Sequence, residues 1–457
     1  MENQALKRFL LFLSLFIASA FHMNAQTYLF PDREIITHGA NDWKAFSIDG
    51  HQYLAVASFQ DNNSVEIESV IFDVDAGYDT LQLIPTSGAS DWEFFSVDGE
   101  YFLGVANFID DQGVYTVNST IYRFEDGSWE YFQHIPTEGA YDLEFLDAGE
   151  EKFLAVANQR DGENSYFIAS DIYRWNGDSL VLFQEIPTYG ASDWEGFMLN
   201  DVPCFAVANT FYPASQIYVF NGNTFSLLQS IPSLGATGIE TFSIGDQFFL
   251  SIANGRSIFS YTTESVIYTF NGDDFQFFQS VETTGAFDWE YFTFDNQHFL
   301  ACASYRDDNA SYDLDSPLFR WQNESFELID LVPTHGAVDW EFFVDNGEPA
   351  LSVSNYKLGA NHITNSVIYH FDRNALFAET LTQPEPPVLF PNPSSEMVNI
   401  QGVTGSGRYA IFDSYGRVIQ DGSYSGDFSF RVSSISNGMY HIMFYESGLS
   451  ISFSVAQ

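Results

Sequence analysis

The sequence repeats a short acidic motif, Asp-x-Glu, whose glutamate column returns at intervals of 45 to 51 residues. The aspartates are Asp42, Asp91, Asp142, Asp193, Asp288 and Asp339. The glutamates are Glu93, Glu144, Glu195, Glu240, Glu290 and Glu341, and Lys44 fills the remaining position of their column. Carboxylate oxygens are the ligands that hard cations such as Ca²⁺ prefer. The motif therefore suggests a calcium site built from some of these groups, with Asp91, Glu93, Asp193, Glu195, Asp288, Glu290, Asp339 and Glu341 as the candidate ligands.

The same regularity also supports a purely structural role for these carboxylates. Each glutamate can accept hydrogen bonds from backbone N–H groups of the next copy, and each aspartate can cap the turn before it. Paired carboxylates also serve glycosidases, but here a pair occurs in nearly every copy, which points to architecture rather than to one catalytic centre. The sequence shows no nucleophile elbow, HExxH motif, P-loop or Cys-His pairing, and we expect no enzymatic activity.

The elements that position the motif can be read from the second copy. Strands are predicted over 91–97, 101–107, 119–124 and 128–135, and Asp98-Gly99 is a hairpin turn between the first two. These strands are apolar on both faces, as in a sheet that lies between two other sheets. Four short strands in about 50 residues are typical of a propeller blade.

Seven copies of a Gly-Ala pair mark the starts of seven such units. They are Gly39-Ala40, Gly88-Ala89, Gly139-Ala140, Gly190-Ala191, Gly235-Ala236, Gly285-Ala286 and Gly336-Ala337. We therefore predict an all-β fold with a seven-bladed β-propeller over residues 26–381. The tryptophans of the motif recur inside a strand, so we expect them to pack between blades rather than to stack on sugars.

Two segments compete to complete the last blade. Residues 28–37 resemble a fourth strand that has no blade before it, whereas residues 376–381 follow the third strand of blade seven directly. Because an unpaired strand at the edge of a sheet is a liability, we favour closure by the N-terminal strand.

The two ends of the chain differ from the repeats. Residues 1–25 combine Lys7 and Arg8 with an apolar run and predict a secretory signal peptide. Residues 382–387 read as a linker, and residues 388–457 as a small Ig-like β-sandwich. After the signal, no apolar run has the length of a membrane span.

The net charge limits the classes of partner, and the two cysteines bear on disulfide formation. The formal net charge of −46 argues against nucleic acid and anionic membranes, since both would be repelled. Cys204 and Cys302 fall in blades that are not neighbours, so we expect two buried thiols and no disulfide.

The repeat unit resembles the EPTP repeat, also called the EAR or epitempin repeat. Residues 186–209 contain IPT, GASDWE and FAVAN in order, and related wording covers about residues 28–381. Blade five departs from it at Gly238-Ile239-Glu240, and blade one has Lys44 in place of the glutamate. The resemblance implies a seven-bladed propeller that binds extracellular partners and has no enzymatic role.

The C-terminal region resembles the sorting domain of the Bacteroidota type IX secretion system. The matching segments are Phe390-Pro391-Asn392-Pro393, 409–413 with Tyr415-Gly416-Arg417, and Asn437-Gly438-Met439-Tyr440. This resemblance implies export through that machinery by way of residues 388–457, to the medium or the cell surface.

The predicted function is therefore an exported binding or adhesion protein. The loops after the second strand of each blade vary most, and variable loops on a rigid fold often carry binding. We expect one rim of the propeller to bind an extracellular protein or glycan. The alternatives are a polysaccharide-active hydrolase or lyase with its site at the channel mouth, and a surface scaffold without a small ligand.

Overall fold

The computed structural model describes residues 28–163, 165–372, 388–401, 403, 406–413, 417–444 and 450–456. The chain forms two compact units, 1–372 and 373–457. The predicted signal peptide, the predicted linker and the competing strand at 376–381 lie outside the described residues.

The first unit is the predicted seven-bladed propeller. Each blade is a four-stranded antiparallel sheet, and consecutive strands pair with each other. The closing strand is β1 (Leu29–His38). Blade one comprises β2 (Ala40–Ile48), β3 (His51–Ser58), β4 (Glu66–Asp73) and β5 (Asp79–Ser87). Blade two comprises β6 (Ala89–Val97), β7 (Glu100–Asn107), β8 (Ser119–Glu125) and β9 (Ser128–Ile135). Blade three comprises β10 (Ala140–Ala148), β11 (Glu151–Asn158), β12 (Phe167–Trp175) and β13 (Leu180–Tyr189).

The remaining blades repeat this order. Blade four comprises β14 (Ala191–Leu199), β15 (Val202–Asn209), β16 (Ala214–Phe220) and β17 (Phe225–Pro232). Blade five comprises β18 (Ala236–Ile244), β19 (Gln247–Asn254), β20 (Thr262–Phe270) and β21 (Phe275–Thr284). Blade six comprises β22 (Ala286–Phe294), β23 (Gln297–Ser304), β24 (Asp313–Gln322) and β25 (Ser325–His335). Blade seven comprises β26 (Ala337–Asp345), β27 (Glu348–Asn355) and β28 (Ile363–Phe371), with β1 as its fourth strand.

The local sequence explains the blade. In the second blade, Asp98 and Gly99 have φ values of 53° and 85°, which the turn between β6 and β7 requires. The glycine of the Gly-Ala pair has positive φ at every copy, and at Gly285 an added Cβ would lie 2.2 Å from the Arg306 carbonyl oxygen. Glycine is therefore required there both by conformation and by space.

The ring is closed by the N-terminal strand. The first strands of the blades contact each other in sequence from β2 to β26, and β26 contacts β2. Strand β1 pairs with β28 in antiparallel register, with Ile35 opposite Ser366. The Thr37 hydroxyl is 2.9 Å from the Ser366 hydroxyl, the same buried contact that Ser69 and Thr86 make in blade one at 3.0 Å. Closure by β1, as predicted, thus reproduces the internal pairing of the other blades.

The core lies between neighbouring sheets. The five motif tryptophans, Trp43, Trp92, Trp194, Trp289 and Trp340, are at most 2% exposed. Phe95 and Phe145 of adjacent blades stack with ring centroids 4.2 Å apart, and equivalent stacked pairs lie at three other junctions between blades. Cys204 and Cys302 are buried free thiols, and burial raises the pKa of Cys204 to about 11.

The second unit is an all-β domain with two sheets. Its strands are β29 (Val388–Phe390), β30 (Met397–Gln401), β31 (Ser406–Asp413), β32 (Val418–Ser425), β33 (Phe428–Arg431), β34 (Gly438–Phe444) and β35 (Ser450–Val455). One sheet has the order β29-β30-β33 and the other β32-β31-β34-β35. Side chains of both sheets, including Val398, Phe430 and Ile442, share one core.

Candidate functional site

The aspartates of the repeated motif surround a small cavity at the propeller axis. Its lining includes all six of them, and its volume is about 70 Å³. Burial and neighbouring carboxylates raise the pKa of each aspartate, as at Asp142, which lies near Asp91 and Asp193. The cavity is a narrow acidic channel and not a substrate-sized pocket.

The carboxylates of both motif positions bind the backbone of the following blade. Asp91 Oδ2 accepts a hydrogen bond from Leu143 N–H at 3.0 Å, and Glu93 Oε1 accepts one from Phe145 N–H at 3.2 Å. Equivalent glutamate contacts are made by Glu144, Glu195, Glu240, Glu290 and Glu341. Equivalent aspartate contacts are made by Asp42, Asp142, Asp193 and Asp339. The structural role considered from the sequence is thus present at nearly every junction between blades.

Three junctions depart from this pattern. Among the described contacts, Asp288 accepts from Trp289 N–H of its own strand and from no backbone N–H of blade seven. In blade five, Gly238 stands at the aspartate position and has no carboxylate. The Asp288 carboxylate fills this space, because its Oδ1 atom would lie 3.0 Å from a Cβ added to Gly238.

In blade one, Lys44 Nζ lies 2.6 Å from Glu93 Oε2. Glu93, Glu341 and Glu144 raise the pKa of Lys44 well above its ordinary value, although burial opposes this. The lysine supplies positive charge in a circle of carboxylates.

The calcium hypothesis stays a prediction. The eight candidate ligands lie around the axis, but within the described ranges no three channel carboxylates place ligand atoms within 4.8 Å of one another. Direct coordination by three of them would therefore require side-chain movement.

A column of glutamines that sequence reasoning missed joins the outer strands. Gln229 Nε2 donates to the Phe275 carbonyl at 2.9 Å, and Gln229 Oε1 accepts from Phe275 N–H at 2.8 Å. Gln82, Gln133, Gln184 and Gln279 make the same double contact with the following blade. Recurrence at one place in five of the seven fourth strands is the signal that marks them, while β25 has Asp330 at this place.

The loops after the second strand form the rim that we predicted to bind. Residues 108–118 link β7 to β8 as predicted, and residues 210–213 form the short loop of blade four. In blade six the sequence predicts a loop over 305–315, but the loop covers only 305–312 because β24 begins at Asp313.

The acidic loop residues fix neighbouring loops to each other. Asp111 accepts hydrogen bonds from Ser64 Oγ and Val65 N–H, and Asp308 accepts them from the equivalent Ser260 and Tyr261. These bonds lower the pKa of both aspartates. These aspartates therefore hold neighbouring rim loops together. Without these bonds, their carboxylates would suggest cation sites in the loops.

A basic column on this rim was also missed. In four blades the second residue after the end of the second strand is basic, namely Arg160, Arg256, Arg306 and Lys357. The Arg160 guanidinium lies 4.3 Å from the Tyr115 ring centroid, and the Arg306 guanidinium 4.7 Å from the Tyr261 centroid. The rim thus carries cation–aromatic pairs on a strongly acidic protein.

Apolar side chains lie beside the short loop of blade four, 210–213, where the rim is lowest in residues. Phe211, Tyr212, Leu234, Ile258 and Phe259 are exposed by 45%, 37%, 47%, 88% and 88%. We call these five residues the blade-four patch. It borders a cavity of about 480 Å³ to which Arg256 contributes. Clustered exposed apolar groups of this kind mark interaction sites.

Fold and rim together define a closed propeller with a loop-bearing face. The chain belongs to the EPTP domain family, whose model matches residues 33–72, 80–125, 130–176, 224–271, 274–322 and 325–372. The unmatched residues 177–223 contain the segment 186–209, where the repeat wording is most complete, and the short loop of blade four.

The C-terminal region matches the secretion system C-terminal sorting domain over residues 388–453. This domain indicates export by the type IX secretion system, so the protein is secreted or displayed on the cell surface. In the described part of the chain, no helix combines the length and the hydrophobicity needed to span a bilayer.

Two curated relatives match part of this chain. The thrombospondin-type laminin G domain and EAR repeat-containing protein of Mus musculus is 41% identical over 189 residues, and that of Homo sapiens is 42% identical over 186. These alignments cover 39% and 38% of this chain and 28% of each relative. The chain thus spans about a quarter of the relatives' length.

Among solved structures, the chain is similar to PorZ, described as an essential bacterial surface component of the type IX secretion system of Porphyromonas gingivalis. The match has 12% identity and a TM-score of 0.43, and covers 91% of this chain and 60% of that one.

Proposed function

We propose that this protein is an extracellular binding or adhesion protein, and that the loop-bearing rim of its propeller binds a protein or glycan partner. The observation that carries the proposal is the blade-four patch. Ile258 and Phe259 hold their side chains almost wholly in water, although the corresponding loop positions of blades one, two and six hold Asn, Asp or Gln. Fully exposed large apolar side chains contribute nothing to the core and favour a partner that covers them.

The rigid setting supports the same proposal. The hydrogen bonds of Asp111 and Asp308 hold loops of neighbouring blades together, so little ordering entropy is lost when a partner binds. The EAR repeats of the two mammalian proteins accompany a laminin G domain, whereas here the repeats precede a sorting domain. The repeats thus occur beside different domains in different proteins, which supports a propeller that binds a partner by itself.

The alternative of a polysaccharide hydrolase or lyase at the channel mouth has less support. The axial cavity of about 70 Å³ is much smaller than the roughly 300–1,000 Å³ of typical ligand pockets. Its carboxylates are engaged by backbone N–H groups of the next blade, as Asp91 is by Leu143.

The test compares the full chain with the double variant Ile258→Ser/Phe259→Ser. Both proteins are applied to a glycan array and to purified surface proteins of the producing cells, and hits are measured by biolayer interferometry. We expect the double variant to lose at least about tenfold in affinity, because each exposed anchor contributes roughly 1–2 kcal/mol when buried.

The matched control is Phe277→Ser. Phe277 is a 62% exposed phenylalanine on β21, the outer strand of blade five, to which Ile258 and Phe259 also belong. It should bind like the wild type. Equal loss in both variants, or glycan cleavage by the wild type, would contradict the proposal.

A further inference from the structure

Three potential metal ligands meet where the propeller closes. They are Asp32 of the closing strand β1, Asp345 at the end of β26 and His370 of β28. One ligand atom from each lies within 4.8 Å of the other two, and no other set of three His, Cys, Asp or Glu side chains in the described ranges satisfies this distance. We call this group the seam cluster. It belongs neither to the channel nor to the rim.

Asp345 breaks the repeat at this point. The last residue of the first strand is apolar in the six other blades, namely Ile48, Val97, Ala148, Leu199, Ile244 and Phe294. Asp345 is only 5% exposed, so blade seven buries a carboxylate where the fold prefers a hydrocarbon. An unpaired buried charge is costly, and such a group is expected to have a specific cationic partner.

The carboxylate of Asp345 is already oriented by neutral donors. The Tyr78 hydroxyl donates to Oδ2 at 2.8 Å, and Asn346 Nδ2 donates to Oδ1 at 2.8 Å. Tyr78 reaches this place from blade one, with φ of 68° in the loop between β4 and β5. Hydrogen-bond donors around a metal site commonly orient the carboxylates that bind the metal.

His370 supplies the second, independent observation. Its side chain is 32% exposed, but its Nε2 atom is shielded from water, makes no hydrogen bond and lies 3.4 Å from Asp345 Oδ2, so the two groups form an ion pair only when the imidazole is protonated. Ligand atoms about 2.0–2.1 Å from a tetrahedral Zn²⁺ are separated by roughly 3.3 Å, which this distance matches. When the imidazole is neutral, its Nε2 atom is therefore placed like a metal ligand beside Asp345 Oδ2.

The nearest fixed cation does not replace a metal. The Arg33 guanidinium lies 4.6 Å from the Tyr78 ring centroid, stacked on the ring, and no ion pair joins it to Asp32 or Asp345 among the described contacts. Asp32 is exposed and sits beside the β-bulge between Pro31 and Arg33, so its side chain has room to approach an ion.

We propose that the seam cluster is a binding site for a divalent transition-metal ion of the Zn²⁺ type. Asp345, His370 and Asp32 would be its protein ligands, and water would complete the coordination. One imidazole with two carboxylates suits Zn²⁺ better than Ca²⁺, which takes oxygen ligands in larger number. An ion here joins β1, β26 and β28 and clips the closing strand to the ring.

The test uses the full chain after treatment with a chelator. Isothermal titration with Zn²⁺ alone should show one saturable site, and Co²⁺ should give the intense visible absorption of a tetrahedral site. At a hundredfold excess over Kd we expect the melting temperature to rise by about 3 °C, while Ca²⁺ should not raise it in this way.

Asp345→Ile restores the apolar residue of blades one and five and should fold normally by circular dichroism, but should lose the Zn²⁺ site. His335→Asn is the matched control. His335 Nδ1 lies 3.1 Å from Asp313 Oδ1, but these two residues belong to no described set of three ligand atoms within 4.8 Å of one another. It should bind Zn²⁺ like the wild type. Zn²⁺ binding that is unchanged by Asp345→Ile, or absent from the wild type, would overturn the proposal.

Discussion

Lys44 Nζ of blade one lies 2.6 Å from Glu93 Oε2 of blade two, at the one position of the glutamate column where the sequence has a base. The Glu93 side chain is only 7% exposed, while that of Lys44 is 31% exposed. The pair joins two blades inside a circle of carboxylates. Its electrostatic contribution therefore extends beyond the two residues, because Glu341 and Glu144 also face the lysine.

Lys44→Met should leave Glu93 without its counter-ion. We expect the free energy of unfolding at pH 8 to fall by about 2 kcal/mol, below the full effect of breaking a buried pair because Lys44 is partly exposed. Urea unfolding measures this change. Lys152→Met is the control, since Asp147 in that ion pair is 51% exposed, and it should cost at most about 1 kcal/mol. Equal losses in the two variants would contradict the prediction.

The channel should make the propeller more stable in mild acid. Burial raises the pKa of Glu195 and Glu341 from 4.5 to about 7. Between these values the folded state binds more protons than the unfolded state, so the free energy of unfolding falls as the pH rises. Thermal melts from pH 4.5 to pH 8 should show a falling melting temperature.

Glu195→Gln/Glu341→Gln should flatten that slope, because glutamine keeps an acceptor oxygen for the next blade but does not titrate. A melting temperature that rises over this range in the wild type would show that other groups dominate the pH dependence.

Asp91 separates the structural role from the cation role. Asp91→Asn keeps an oxygen for Leu143 N–H and removes one crowded charge, so its melting temperature at pH 8 should equal or exceed that of the wild type. Asp91→Ala leaves the N–H unpaired and should cost about 1–3 kcal/mol. If calcium raises the wild-type melting temperature and Asp91→Asn abolishes that rise, the channel carboxylates bind the ion instead.

Gln229 should be important for the contact between blades four and five. Gln229→Ala removes both of its bonds to Phe275 and leaves two backbone groups without partners, so we expect a loss of about 2–4 kcal/mol. Chemical unfolding measures it. Gln276→Ala, at an exposed position of β21, should change stability by less than about 0.5 kcal/mol. A small effect at Gln229 would mean that water replaces the side chain.

Local patterns predicted the elements better than the partners. Asp98-Gly99 predicted its hairpin because a turn depends on neighbouring residues. The seven Gly-Ala pairs predicted the number of blades because each blade begins with the same local turn. The Asp-x-Glu motif predicted a circle of carboxylates, but its acceptors are N–H groups about 50 residues away, so choosing between ion and backbone required the fold.

Departures from the repeat were harder to interpret. Blades one and five stood out at Lys44 and Gly238, and blade seven did not, because Asp345 follows the motif that was being compared. The apolar column that Asp345 interrupts was the available signal. His370 and Asp32 approach it only through the pairing of β1 with β28, which a linear pattern does not reveal.

Closure by β1 places the earliest strand and its partner more than 300 positions apart, as the 329-residue separation of Thr37 and Ser366 shows. Strand β28 pairs with β27 nearby in sequence, but β1 finds its partner only after six complete blades and the other three strands of blade seven have been synthesised. Such distant pairing is slow, and an open blade offers its free edge to other chains in the meantime. A truncated chain that stops before β28 is therefore expected to self-associate rather than persist as a shorter monomer.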